Sequence, residues 1–306
     1  MGIVVIGTSF VDIKGYPESL YIPKGRNAGS VEMIHGGVGR NVVEDIANVE
    51  LEPSYVSLID NSDMGKSVLN KLNKHKVNTD YVLEDPNGMG IWLAIFDESG
   101  DVVGSISKRP DMHPLVDLLE EKGDEIFSNA DSIVVEIDID KDVIKQALKF
   151  AQKYDKKIYA VVSNMSIASK RRDLIQQIDC TVCNEQEAGI LFVKDIEGMS
   201  PEELSEQLPD LIAGAGIPAV VVTMGEKGAV YASNNGESGY CHARTVDVID
   251  TTGAGDAFFS GVAIGLTYGK TLSESVDIGT RLASSVIVSL ESVCPRFLPG
   301  EFGIEV

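Results

Sequence analysis

The densest chemistry in the sequence lies in Asp250-Thr-Thr-Gly-Ala-Gly-Asp256, which runs into an apolar, small-residue segment, Ala257–Leu266. Thr245–Ile249 reads as the end of a strand, and a helix is expected to begin near Ala254 or Asp256. Gly253 and Gly255 leave backbone N–H groups unshielded at the positive end of that helix, so the turn is a site for an anion. Asp256 sets a carboxylate beside it. A carboxylate holds a phosphate badly but takes a proton well from an attacking hydroxyl. The plainer reading is an Asp-rich N-cap after a tight turn, and a lone Gly-x-Gly would leave that reading ahead. Paired aspartates around Thr-Gly-Ala-Gly reverse the order.

Four further groups stand at places where a strand gives way to a turn or helix. The apolar run Ile3–Ile6 ends in Gly7-Thr-Ser-Phe-Val-Asp12. Asp12 alone is more often a cap, yet a carboxylate can accept from two vicinal hydroxyls at once. His35-Gly-Gly-Val-Gly-Arg-Asn41 opens a helix whose apolar positions 42, 43, 46, 47 and 49 share one face. The Asn41 amide can both donate to and accept from a polyol, although a plain helix start explains it equally. After the strand Cys180–Cys183 comes Asn184-Glu-Gln-Glu187, where an acidic residue at a helix start is favourable in any case. After the buried strand Ala219–Thr223 comes Met224-Gly-Glu-Lys-Gly228, whose glycines permit close backbone approach to a nucleotide or simply make a hairpin.

These motifs, in this order, resemble the PfkB (ribokinase-like) carbohydrate and nucleoside kinase family over essentially the whole chain. The resemblance implies ATP-dependent phosphorylation of a primary hydroxyl. Asp256 is then the catalytic base, with Gly253, Ala254 and Gly255 as the anion hole. Asp12, Gly36, Gly37 and Asn41 bind substrate, with the paired glycines at a hinge. Asn184, Thr223, Gly225 and Gly228 serve ATP, and Glu187 with Asn184 organises Mg2+ through water. Asp250 and Thr252 match a monovalent-cation (K+) site, or simply cap the turn. The Gly-Gly-Val-Gly-Arg-Asn variant carries Arg40 where many ribokinases and fructokinases have a small residue, and so is closer to the pseudouridine kinase branch. The family often has Asp where this chain has Val162-Ser163-Asn164, which puts one local contact in doubt. Pseudouridine or a related nucleoside is therefore the favoured substrate, with ribose, fructose and similar sugars open. A non-catalytic sugar or nucleotide sensor is the alternative of another class, against which the intact Asp256 and glycine turn argue. A Rossmann dehydrogenase is disfavoured, because no Gly-x-Gly-x-x-Gly follows the first strand.

The elements that must position these residues are legible as a pattern. From Asp111 onward helices and strands alternate: helix 114–128, strand 132–137, helix 141–154, strand 157–162, helix 169–177 and strand 180–183. Such alternation implies a parallel sheet with ligands at the C-terminal strand ends. Strands 55–60 and 77–83 flank helix 64–73. Residues 15–34 lack helical periodicity, and Gly90–Phe96 and Asp101–Ile106 flank a good hairpin turn, Asp97-Glu-Ser-Gly100. The expected fold class is therefore α/β. The resemblance makes it a three-layer sandwich with a central, mainly parallel sheet, in one domain over residues 1–306. It also implies a small β-sheet lid from about 13–35 and 88–108, through which a homodimer forms. Trp92, the single tryptophan, suits lid core, dimer contact or substrate surface. Helices 256–268 and 273–290 carry Gly261, Ala263, Gly265, Ala283, Ser284 and Ser285, which suit an adenine slot or close helix packing. A net charge of −21 argues against nucleic acid or an anionic membrane as partner. No apolar run approaches the ~18 residues of a membrane span, so a cytoplasmic location is expected. Cys180 and Cys183 have C-x-x-C spacing but sit in a strand without a second ligand pair, and read as buried thiols.

Overall fold

The computed structural model describes residues 2–162 and 170–305. The Ser163-Asn164 departure and the first residue of the helix expected at 169–177 lie outside the described residues. The chain is built around β1 (Val4–Ile6), whose three residues are all buried. It pairs in parallel with β4 (Ser54–Ile59) on one side and β8 (Ile133–Glu136) on the other. Continuous β-branched runs of this kind suit strands covered on both faces. The nine-stranded sheet has the order β13-β12-β11-β10-β9-β8-β1-β4-β5. Here β5 is Asn78–Glu84, β9 Ile158–Val161, β10 Cys180–Asn184, β11 Ala219–Thr223, β12 Ala229–Ser233 and β13 Ser238–Cys241. Neighbours are parallel from β5 to β11, and β12 and β13 fold back antiparallel at the edge.

Alternate side chains of each strand feed two cores. Val4, Ile6, Val56 and Leu58 point to one face, against Leu119 and Phe127 of α3 (Pro114–Ser128) and Ile144 of α4 (Lys141–Tyr154). A short α5 (Arg172–Ile175), α6 (Glu185–Phe192) and α7 (Pro201–Ala215) add to that side. Val5, Tyr55 and Ile59 point the other way, against Val43 of α1 (Val38–Asn48), Leu72 of α2 (Asp63–Lys74), Phe259 of α8 (Ala254–Thr267) and Leu282 of α9 (Leu272–Val286). The result is three layers, with every parallel strand end aimed at one rim. The small residues of the last two helices serve close packing: a Cβ on Gly261 of α8 would lie 2.6 Å from Cα of Gly279 on α9.

A separate four-stranded sheet has the order β3-β2-β6-β7, from β2 (Ser9–Pro17), β3 (Gly29–Gly36), β6 (Met89–Phe96) and β7 (Val102–Lys108). The pair β2–β6 is parallel and the outer two pairs are antiparallel. The β6–β7 turn closes through Gly100 N–H donating to Asp97 O at 3.1 Å. Three expectations need correction. Asp12 does not sit in a turn after β1 but inside β2, a strand of the small sheet. No strand covers Thr245–Ile249: β13 ends at Cys241, and Val248 and Ile249 lie exposed, with Ile249 N–H donating to Ile287 O at 2.7 Å. Its apolar residues have no neighbouring strand to pair with. The last helix stops at Val286 rather than 290, where the Ser289 hydroxyl donates back to the Val286 carbonyl at 3.1 Å.

Candidate active site

The turn before α8 is built as an anion site. Gly253 caps the helix in the left-handed region (φ 82°), and a Cβ there would collide with the carbonyl oxygen of Ser292. Glycine is thus required by both backbone angle and space. Among the described residues the Gly253 and Gly255 N–H groups have no backbone partner, whereas Ala254 N–H donates to Thr251 O at 3.2 Å and closes the turn. Of the three amides expected to face an anion, two remain free. Asp250 Oδ1 accepts from Thr252 N–H at 2.8 Å, and its Oδ2 lies 4.0 Å from Lys14 Nζ. Burial works upward on Asp250, but the Thr252 amide, its hydroxyl and Lys14 outweigh it and hold the carboxyl below its ordinary value.

One turn into α8, Asp256 Oδ2 accepts from Asn41 Nδ2 at 2.6 Å. Residues 215 positions apart in sequence thereby meet where two helix N-termini converge. Burial pushes the Asp256 carboxyl up to about 6, against the pull of Asn41 and Arg40, and the charge of Asp12 adds to the rise. Asp12 therefore shares the site. Its own carboxyl is raised by burial and drawn back by Lys14 and Arg40. Gly36 lies directly beneath it, and a Cβ there would occupy the Asp12 carboxylate. Gly37 (φ 98°) would meet Phe10 N at 2.8 Å with any side chain. The paired glycines seat the carboxylate and admit the chain into α1.

Arg40, left without a role by sequence, is 1% exposed. Its guanidinium donates to His35 O at 2.5 Å, to Gly36 O at 3.4 Å and to Ser292 Oγ at 3.2 Å, and pairs with Glu44 at 2.8 Å. It ties the Gly36–Gly37 turn to the 292 loop, which also backs Gly253. Ser292 Oγ in turn reaches Asn41 Oδ1 at 3.4 Å. Neither Ser292 nor Glu136 was expected. Glu136, at the end of β8, is buried and accepts from Thr8 N–H (3.2 Å), Thr8 Oγ1 (2.9 Å) and Gly39 N–H at the start of α1. Burial and neighbouring Asp138 raise its carboxyl, while these donors oppose the rise. Its one signal in the sequence is a charge inside the apolar run Ile133–Ile137; Ser292 has none. Asp45, beneath Asp256 on α1, accepts from Cys294 N–H at 2.6 Å, and burial raises it well above the usual carboxylate range.

The nucleotide candidates gather at the same rim. Asn184 at the end of β10 is in register with Thr223 at the end of β11. Gly225 (φ 57°) and Gly228 (φ 108°) bracket a 3-10 turn, Gly225–Lys227. Gly228 has a structural duty too: a Cβ there would strike the Cys241 carbonyl. Asn184 and Glu187 form a reciprocal capping box, with both bonds at 2.8 Å. Burial lifts the Glu187 carboxyl to about 7, opposed by the Asn184 amide and reinforced by Asp138. A carboxylate is a hard oxygen donor of the kind Mg2+ takes, and with one oxygen spent on the cap Glu187 keeps one for a cation or its water shell. No cluster of three metal-ligating side chains occurs among the described residues, and Cys180 and Cys183 are buried free thiols. No helix is long and apolar enough to cross a membrane among those residues.

Comparison with known proteins agrees with this geometry. The profile of the pfkB family carbohydrate kinases matches residues 2–293. A guanosine-inosine kinase of Exiguobacterium acetylicum is 34% identical over 95% of each chain. The pseudouridine kinase of Escherichia coli is 26% identical over 90% of this chain and 86% of its own. In three dimensions, Arabidopsis thaliana ribokinase complexed with ribose and ATP superposes with a TM-score of 0.82, covering 96% of this chain and 95% of that one at 22% identity. The fold is ribokinase-like.

Proposed function

We infer the function from one premise: the chain belongs to the pfkB family of carbohydrate kinases. It is a kinase, and we propose that it transfers the terminal phosphoryl group of ATP to a primary hydroxyl of a nucleoside. The observation that carries this reading is the Asn41–Asp256 bond at 2.6 Å beside the free amides of the α8 turn, a base next to an anion hole. Asp256 takes the hydroxyl proton, the oxygen attacks the terminal phosphorus, and the bond to the departing ADP breaks. Gly253 and Gly255 N–H groups and the positive end of α8 meet the charge on the transferred group. Asp12 and Asn41 hold neighbouring hydroxyls above Gly36 and Gly37. Thr223, Gly225 and Gly228 line the nucleotide side. Mg2+ bound with ATP would supply charge neutralisation, and Asn184 and Glu187 would be the residues to hold it, through water.

The choice of nucleoside rests on the guanosine-inosine kinase at 34% identity; pseudouridine, favoured by the Arg40 motif, has a relative at 26%. Both belong to the panel that decides. A coupled ADP-release screen across pentoses, hexoses, guanosine, inosine, adenosine and pseudouridine, with and without K+, tests the assignment. We expect turnover with a nucleoside well above that with ribose or fructose. Preference for a free sugar would make this a sugar kinase, and no ATP consumption with any acceptor of the panel would return the sensor reading. K+ activation is expected only if Asp250 still takes an ion beside Lys14.

One kinase domain is the working description, with the four-stranded sheet as its lid. The lid's outer face presents Val31, Met33, Leu93, Ile95 and Ile106, all exposed. Pairings Ile13–Met33, Ile13–Leu93 and Leu93–Ile106 place them side by side. A second copy of the chain is the partner proposed for this face. Unpaired buried thiols accord with a cytoplasmic enzyme.

A further inference from the structure

Lys14 is 4% exposed, yet among the described residues its ammonium has no hydrogen bond, and its ionic partner Asp250 stands at 4.0 Å. An ammonium carries three donors, and Lys14, with a single carboxylate 4.0 Å away, has donors to spare for an acceptor from outside the chain. Lys14 lies on β2 two residues beyond Asp12, on the same face and about 7 Å further along the strand. Asp12 is the residue placed at the sugar hydroxyls, so its neighbour on that face lies where the sugar's substituent extends. The strand alongside carries a small side chain at this point. Ala94 of β6, in register with Lys14, is small and buried, with Trp92 opposite Asp12 before it and Phe96 after it. Phe96 stacks on Tyr16 of β2 at 4.8 Å between ring centroids, so the inner lid face offers flat apolar surface on either side of one buried cation. Trp92, open in the sequence reading, belongs to that face.

We infer that Lys14 is a specificity-determining residue that donates to a carbonyl oxygen on the base of the nucleoside, so that the enzyme selects oxo-bases over amino-bases. The inference rests on the nucleoside reading above. An ammonium only donates. It is matched by the ring carbonyl of guanosine, inosine or pseudouridine, and mismatched by the exocyclic amine that adenosine presents at the equivalent position. A free pentose has no atom that reaches it.

The test is the ratio of kcat/KM for guanosine to that for adenosine, in the wild type, Lys14→Met and Lys14→Gln, with inosine and pseudouridine as further oxo-base arms and ribose as control. Loss of a charge-assisted bond in Lys14→Met should lower the guanosine-to-adenosine ratio by roughly 10- to 100-fold, mostly through KM. Lys14→Gln, which can both donate and accept, should raise adenosine relative to its wild-type value; it also decides the matter if the methionine variant does not fold. Equal losses for guanosine and adenosine would show that Lys14 only supports Asp250 and would overturn the inference, as would an unchanged ratio. Wild-type enzyme that phosphorylates ribose and no nucleoside sinks the nucleoside reading itself, and this inference with it.

Discussion

Asp256 shows how a residue type acquires a task from its surroundings. In water its carboxyl would be a weak base at neutral pH; burial lifts it to about 6, nearer the operating range of a proton acceptor. Replacing it by asparagine keeps the shape and removes the basicity. Asp256→Asn should lower kcat by about 10²–10⁴-fold with ATP affinity nearly unchanged, measured by coupled ADP release and by calorimetry of ATP binding. The base must be ionised in the free enzyme, so kcat/KM should fall tenfold per unit as pH drops below about 6. Asn41 donates to the ionised form and so holds the value down. Asn41→Leu should therefore move the acid limb to higher pH, besides weakening substrate binding; a limb that stays put or moves to lower pH would separate Asn41 from the base. Type and motif spacing singled out Asp256 and Asn41 in the sequence, and the fold brings the two side chains together. Glu136 and Ser292 were not legible there, because their contacts with Gly39, Arg40 and Asn41 arise only when the ends of β8 and the 292 loop are folded onto α1.

At the scale of elements, the glycine turn before α8 is less uniform than its spelling. Sequence treats Gly253 and Gly255 alike, as two flexible residues exposing amides. In the fold, Gly253 has a left-handed φ of 82° with the Ser292 carbonyl against it, whereas a Cβ on Gly255 meets nothing within 4 Å. Gly253→Ala should thus destabilise the protein by about 1–3 kcal/mol and Gly255→Ala hardly at all, a contrast that thermal melting of the two variants resolves. Equal melting temperatures would mean the turn is not held against the 292 loop as described. The alternating αβ units from Asp111 were readable because each strand is apolar throughout and each helix has a 3.6-residue stripe. The strand expected at 245–249 was misread for the same reason in reverse: Val246, Val248 and Ile249 have strand-like composition, but β13 ends at Cys241 and no partner edge remains beside them. Asp12 was expected in a turn after the first strand, but a nine-residue β2 carries it out of the main sheet's rim and onto the small sheet.

The whole molecule joins two sheets through β2, which holds Asp12 and Lys14 on its inner face and shares a sheet with an apolar outer face. The proposed substrate side and the proposed dimer side thus share one strand, which links them mechanically. A chain with net charge −21 repels its copies at long range, and association has to come from apolar burial at a face poor in acidic groups. The row Met33, Leu93 and Ile106 is such a face. Leu93 and Ile106 are paired across β6–β7, so the double variant Leu93→Glu, Ile106→Glu puts two like charges at the centre of the proposed interface, where burying them is prohibitive. Light scattering after size exclusion should give twice the 32.9 kDa chain mass for the wild type and the single mass for the variant. The loss should also reach the site: with β6 freed on its outer side, β2 is less firmly held, and KM for the acceptor should rise while KM for ATP, whose proposed site is at β10 and β11, stays within about twofold, because those strands belong to the other sheet and distant sites are nearly independent. A wild type that runs as a monomer, or a variant that stays dimeric, removes the outer face from the assembly. A monomeric variant with unchanged acceptor KM would leave the dimer standing and cut its link to β2.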